Sequence, residues 1–233
     1  MAEVLQARCG WRLWPPGAQP GSPNPLRGLV WSVMEASEAS ELIRDAVMGS
    51  GERWADLGAG SGTFTRALVS LLGRGARIDS VDRDARAIAE IRNWAKAEAP
   101  GVVAHVADIS GPLELPEFDA GGFDGVLLAN VLHYVRDAEA ALGRFVGLLK
   151  PGGRIVLIEY DRRRASPWVP YPIPPARWSA MAAQAGLSEP LITARRPSDF
   201  GGTLYVARAE RPARGITPLP AASPLPSLPP RNC

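Results

Sequence analysis

The chain reads as an α/β protein built on a doubly wound sheet of mostly parallel strands. Three observations predict this. Strand-like and helix-like apolar spacings alternate from Glu35 to Arg208, the order that right-handed crossovers turn into a parallel sheet. Val126-Leu127-Leu128-Ala129 is an unbroken apolar run, as expected of a strand covered on both faces. Thirdly, a short apolar run ends in Asp56 and opens into Gly58-x-Gly60-x-Gly62, with helical spacing immediately behind it.

Each element has its own signal. Glu35 to Met48 carries Ala39, Leu42, Ile43, Ala46 and Val47 on one helical face. Arg53 to Leu57 is a short strand, and Phe64, Ala67, Leu68, Leu71 and Leu72 then keep the spacing of an amphipathic helix starting at Thr63. Arg77 to Val81 is a strand that ends at Asp82; Ala85 to Ala97 is a helix with Ile88, Ile91, Trp94 and Ala95 inward. Val102 to Val106 is a third strand ending near Asp108, and Gly122 to Asn130 holds the fourth. Ala138, Ala141, Leu142, Phe145, Leu148 and Leu149 make the next helix. Lys150-Pro151-Gly152-Gly153 breaks it, so the fifth strand is expected over Arg154 to Tyr160.

The pattern then changes. Arg162 to Pro175 is a proline-rich loop, and Ala176 to Ala185 is a helix with Trp178, Met181, Ala182 and Ala185 inward, stopped by Gly186. Leu191 to Ala194 and Thr203 to Arg208 are strands whose short joint, Ser198 to Gly202, requires antiparallel pairing. The expected organisation is an irregular segment 1–34, one domain over 35–210, and a Pro-rich disordered tail 211–233. The PxxP spacing at Pro226 to Arg231 is treated as part of that tail.

Composition bounds the function. The 233 residues carry a formal net charge of +2, with no basic-aromatic stripe, so neither nucleic acid nor an anionic membrane is an expected partner. Cys9 and Cys233 cannot build a disulfide framework or a cysteine metal cage. No apolar run is long enough to span a bilayer, and the N-terminus lacks the apolar core of a secretory signal. A cytoplasmic location is expected.

The chemistry concentrates at the carboxyl ends of the strands, where open α/β sheets bind ligands. Asp56, Asp82 and Asp108 stand at three such ends and Asn130 at the fourth. The glycines let a ligand approach bare backbone, and the helix from Thr63 offers free N–H groups to a carboxylate. Asp82 can accept both hydroxyl protons of a ribose. A dinucleotide is disfavoured: the loop is not Gly-x-Gly-x-x-Gly, and Asp56 beside it would repel a pyrophosphate. A ligand with an ammonium and a sulfonium suits the same charge.

These residues resemble the class I S-adenosylmethionine-dependent methyltransferases, small-molecule type. Ala55 to Thr63 matches their first motif, Asp82 with Arg83 and Asp108 with Ile109 match the acids of the adenosyl half, and Phe123 to Val135 matches the fourth-strand motif. Leu148 to Ile155 matches the hairpin region at strand five. The resemblance implies a Rossmann-like sheet of seven strands with an antiparallel last strand, and S-adenosylmethionine as cofactor. It implies that Asp56, Gly58, Ala59, Gly60 and Gly62 frame the methionine portion. Asp82 would take the ribose with Arg83 beside the adenine, Asp108 and Ile109 the adenine, and Asn130 the ammonium.

The acceptor is expected to be a small organic molecule methylated on O, N or C. Asn130 is followed by Val131-Leu132-His133, not by the Pro-Pro-aromatic motif of enzymes that methylate amino groups of nucleic-acid bases. No carboxylate set for Mg²⁺ is found beyond the cofactor acids, so no metal is expected. His133 is the candidate base; packing against the methionine portion or capping a turn is its other reading. Tyr160, Trp168 and Tyr171 are candidate acceptor contacts, the latter two either in a lid or packed on the strands. Asp161 beside Arg162, Arg163 and Arg164 reads as a solvated charge pair or, at best, a substrate-orienting group. Two other functions share the motifs: a fold retained as a cofactor-binding interaction module without turnover, and aminopropyl transfer. The second would need an acidic diamine pocket, which the Trp168–Tyr171 loop does not offer.

Overall fold

The computed structural model describes residues 34–47, 49, 52–113, 115 and 122–213. The expectations for segment 1–34 and tail 211–233 therefore fall outside the described residues, apart from Met34 and residues 211–213. In chain order the elements are α1 (Ala36–Ile43), β1 (Arg53–Leu57), α2 (Thr63–Leu72), β2 (Arg77–Asp82), α3 (Ala85–Glu98), β3 (Val102–Val106) and β4 (Phe123–Ala129). A single 3₁₀ turn (Leu132–Tyr134) leads to α4 (Ala138–Leu148), β5 (Leu149–Tyr160), α5 (Pro175–Gln184), β6 (Leu191–Pro197) and β7 (Thr203–Glu210).

The seven strands lie in the order β3-β2-β1-β4-β5-β7-β6. β7 runs antiparallel to both neighbours, while the first five strands are parallel. This is the doubly wound sheet that the alternation predicts, with the antiparallel C-terminal strand that the short joint and the resemblance imply. Strand order reverses between β1 and β4, the switch point at which such sheets open a crevice.

Period-two side-chain alternation sends opposite parities of each strand to opposite layers. Ala55, Leu57, Val126, Leu128, Ile155 and Leu157 meet α4 and α5 through Phe145, Leu142, Trp178 and Met181. Trp54, Leu127, Val156 and Ile158 meet α1 and α2 through Ile43, Ala67 and Leu68. Ile88 and Ile91 fix α3 over Ala104 on the same side, since Val102 packs against both of those clusters. β4 is therefore covered on both faces, the physical basis of its unbroken apolar run.

The two largest boundary differences from the sequence reading lie at the first helix and the fifth strand. The first helix ends at Ile43, not Met48. Both Ala46 and Val47 donate their N–H groups to the Ile43 carbonyl at 2.9 Å, so a turn buries these apolar residues without further helix. The fifth strand begins at Leu149, not Arg154. Lys150-Pro151-Gly152-Gly153 forms its bulged entry: Leu149 pairs with Phe123 and the register resumes at Arg154 with Gly125. Arg211 supplies the ladder there, accepting from the Gly152 N–H at 2.8 Å and donating to the Gly153 carbonyl at 2.7 Å. The local turn signal was correct, but a distant strand end satisfied its backbone.

Candidate active site

The glycine loop is built from β1, β2 and β4 together. The N–H groups of Gly58 and Ala59 both donate to the Val81 carbonyl, at 2.7 and 2.9 Å, tying the loop to the end of β2. Gly58 has φ +81°, and a Cβ there would lie 2.3 Å from Val131 Cγ2. Gly60 has φ +52° and faces open space, a Cβ meeting nothing within 4 Å. The first glycine is thus demanded by packing, and the second leaves room at the switch point.

The carboxylates at the strand ends do different work. Asp82 Oδ2 accepts the Gly60 N–H at 2.8 Å and Oδ1 accepts the Asp84 N–H at 2.8 Å, so this side chain braces both the loop and the start of α3. Asp56 is fully buried beneath the loop. Its Oδ2 accepts the Thr65 hydroxyl at 2.6 Å, and Thr65 Oγ1 lies 3.0 Å from Ser80 Oγ. Burial pushes the Asp56 carboxyl up to about 7, against the Thr65 hydrogen bond, with the nearby Asp82 charge adding to the rise. Asp108 Oδ1 accepts the hydroxyl and the N–H of Ser110 at 2.6 and 2.9 Å. Those two bonds, with the Arg83 charge behind them, hold its carboxyl below the usual range. Ile109 is buried beside it.

Asn130 adopts φ +52°, the one non-glycine with positive φ among the described residues. Such a backbone costs on the order of 1 kcal/mol and clusters at functional sites. Its N–H donates to the Ile158 carbonyl at 2.9 Å. The turn that follows carries His133 into the core, where 1% of the side chain is exposed. His133 Nδ1 lies 2.6 Å from Glu159 Oε2, and the His133 backbone N–H donates to Glu159 Oε1 at 3.2 Å. The Tyr134 ring stands 4.3 Å from the imidazole and the Tyr160 ring 6.3 Å.

Three buried polar atoms here have no protein partner: Asp56 Oδ1, Asn130 Oδ1 and His133 Nε2. Buried polar atoms are rarely left so. Together with the open space at Gly60 they fit a ligand that brings donors and a positive charge, as S-adenosylmethionine does.

The expected acceptor contacts separate. Tyr160 is buried under the Arg163 guanidinium, which sits 4.3 Å from its ring centroid. Trp168 is exposed and takes part through its carbonyl, which accepts the Tyr134 hydroxyl at 2.8 Å. Tyr171 donates its N–H to the His133 carbonyl at 3.0 Å. Asp161 is not paired with its neighbouring arginines: its carboxylate lies 3.6 Å from Arg195 of β6. Sequence reasoning missed Glu159, Thr65 and Ser80. Glu159 did carry a signal, being a charged residue inside the apolar run of a doubly covered strand.

The fold is the Rossmann-like one of class I S-adenosylmethionine-dependent methyltransferases, which this chain resembles. The matching family model is the methyltransferase domain, over residues 55–155. Lovastatin diketide synthase mokB of Monascus pilosus is 29% identical over 157 residues, 66% of this chain and 6% of that protein. The ubiquinone/menaquinone biosynthesis C-methyltransferase UbiE of Pseudomonas paraeruginosa is 29% identical over 117 residues, 50% of this chain and 45% of that protein. The chain thus spans less than half the length of these relatives. Among solved structures, the 1,6-didemethyltoxoflavin-N1-methyltransferase of Burkholderia thailandensis, with bound 1,6-didemethyltoxoflavin and S-adenosylhomocysteine, superposes with a TM-score of 0.62 at 21% identity. That match covers 76% of this chain and 78% of the other.

Proposed function

We propose that this protein methylates carbon: it moves the methyl group of S-adenosylmethionine to an acidic C–H carbon of a small organic acceptor. The buried His133–Glu159 pair carries the reading. A neutral nitrogen lone pair can attack without a base, whereas a C–H acceptor must lose its proton before its carbon can attack. Glu159 takes the Nδ1 proton as its hydrogen-bond partner, fixing the tautomer that leaves Nε2 free to accept one. That Nε2 is the buried atom without a protein partner.

When bound, the cofactor supplies an electrophilic methyl on a positively charged sulfur. Asp82 and Asp108 would hold the adenosine end, Gly58 to Gly62 the methionine portion, and the Asn130 side-chain oxygen the ammonium. His133 Nε2 takes the acceptor's proton; the electron pair of that C–H bond forms the new C–CH₃ bond as the S–CH₃ pair returns to sulfur. Orientation of the two reactants supplies roughly 7–11 kcal/mol of a barrier.

One relative, named a C-methyltransferase, supports a carbon acceptor. Among the described residues no helix is long and apolar enough to cross a membrane. A cytoplasmic location, a small-molecule acceptor and no nucleic-acid partner complete the reading. The test is incubation with methyl-labelled S-adenosylmethionine and two probes, the N-acetylcysteamine thioester of acetoacetate and a methoxyhydroquinone. Label on carbon, lost in His133→Gln, is expected. Label found only on oxygen overturns the carbon assignment.

A further inference from the structure

We propose that Tyr134 is a positioning residue, whose hydroxyl latches loop 161–174 over His133 and so controls the acceptor's access to the base. The inference rests on the reading of His133 as that base. The loop leaves the end of β5 and is fastened at three points to elements that hold the His133–Glu159 pair. The Tyr134 hydroxyl donates to the Trp168 carbonyl at 2.8 Å. The Tyr171 N–H donates to the carbonyl of His133 itself at 3.0 Å. The Tyr205 hydroxyl donates to the Ile173 carbonyl at 2.7 Å, and Tyr205 is the residue paired with Glu159 across β5 and β7.

These fastenings differ in strength. Tyr205 is fully buried, as is Ile173, so that bond closes the root of the loop permanently. The Tyr171 bond is a backbone bond that no side-chain change removes. Tyr134 is half-buried and its acceptor residue Trp168 is 42% exposed, so this bond lies at the solvent edge. It is the one of the three that can open without unfolding the core. The Tyr134 ring meanwhile rests 4.3 Å from the imidazole, tilted by 48°. One side chain therefore touches the base with its ring and the loop with its hydroxyl. Burial, with the Tyr160 and Glu159 charges adding, raises the Tyr134 pKa, so the hydroxyl remains a donor throughout the neutral range.

The sequence contains only two histidines, His105 and His133, so carbethoxylation by diethyl pyrocarbonate, mapped by peptide mass, reads access to His133 directly. In the unaltered protein His133, with 1% of its side chain exposed, is expected to be protected. Tyr134→Phe keeps the ring and removes the latch. The His133 carbethoxylation rate is expected to rise about five- to tenfold, the effect of one lost hydrogen bond, while calorimetric affinity for S-adenosylhomocysteine stays within about twofold. A His133 rate unchanged in Tyr134→Phe overturns the proposal. So does an equal rise in Tyr171→Phe, which leaves the backbone bond intact and should not matter. Failure of the base assignment shows separately, as turnover retained by His133→Gln.

Discussion

The imidazole of His133 and the carboxylate of Glu159 meet at 2.6 Å across 26 residues of sequence, with 1% and 0% of their side chains exposed. A buried carboxylate is costly unless its hydrogen-bonding capacity is used. Here the pair's geometry leaves Nε2 as the one polar atom of the ring aimed elsewhere.

That relationship predicts the effect of breaking it. His133→Gln is expected to lower the methyl-transfer rate by about 10²–10⁴, the ordinary contribution of a positioned base. Glu159→Gln keeps the shape and removes the charge, with an expected loss of about 10²-fold or more through the wrong tautomer. Affinity for S-adenosylhomocysteine, measured by calorimetry, should change little in either variant. Equal loss of cofactor affinity and turnover would place the pair in cofactor binding instead.

Asp56 predicts how stability follows pH. Its carboxyl is raised from 3.8 to about 7 in the folded protein by burial. Between those values the unfolded chain has lost a proton that the folded chain keeps, so this group's contribution falls as pH rises from about 4 to 7 and is flat above that. Asp56→Asn retains an oxygen for Thr65 and cannot ionise. The difference in Tm between Asp56→Asn and the unaltered protein should therefore grow in the variant's favour across that window. Parallel Tm curves would show that Asp56 is ionised inside the fold.

Asp82 and Asp161 make a matched comparison. Asp82 holds two backbone N–H groups at 2.8 Å, one in the glycine loop, whereas Asp161 has a 3.6 Å ion pair to a half-exposed Arg195. Asp82→Ala should lower stability by about 1–3 kcal/mol and weaken S-adenosylmethionine binding strongly. Asp161→Ala should cost at most about 1 kcal/mol and leave binding intact. Thermal unfolding and calorimetric titration of the two variants check this; equal binding losses would misplace the ribose site.

Two glycines separate packing from ligand space. Gly58→Ala drives a Cβ to 2.3 Å from Val131 and should destabilise the fold by about 1–3 kcal/mol from overpacking, with the strain of positive φ added. Gly60→Ala meets no protein atom within 4 Å; it should cost only the backbone strain of about 1–2 kcal/mol yet abolish cofactor binding. Normal binding by a folded Gly60→Ala protein would show that the ligand does not lie over that residue.

The alternating periods, the buried run 126–129 and the glycine loop were enough to read the doubly wound sheet and the strand-end acids Asp56, Asp82 and Asp108, because those are local patterns: a strand's burial and a turn's backbone freedom are written in neighbouring residues. Tertiary structure alone decided the rest. Asp56 looked like an acid facing a ligand; the α2 layer closes over one parity of β1, so Thr65 holds one of its oxygens while the other keeps no protein partner. Lys150 to Gly153 looked like a break and is the entry of β5, because Arg211 comes from far along the chain to satisfy it. His133 was visible as a candidate, but Glu159 was not, and only the adjacency of β4 to β5 brings them together. A partner supplied by sheet order leaves no trace in the spacing of its own segment; what it leaves is one charged residue where an apolar one should stand.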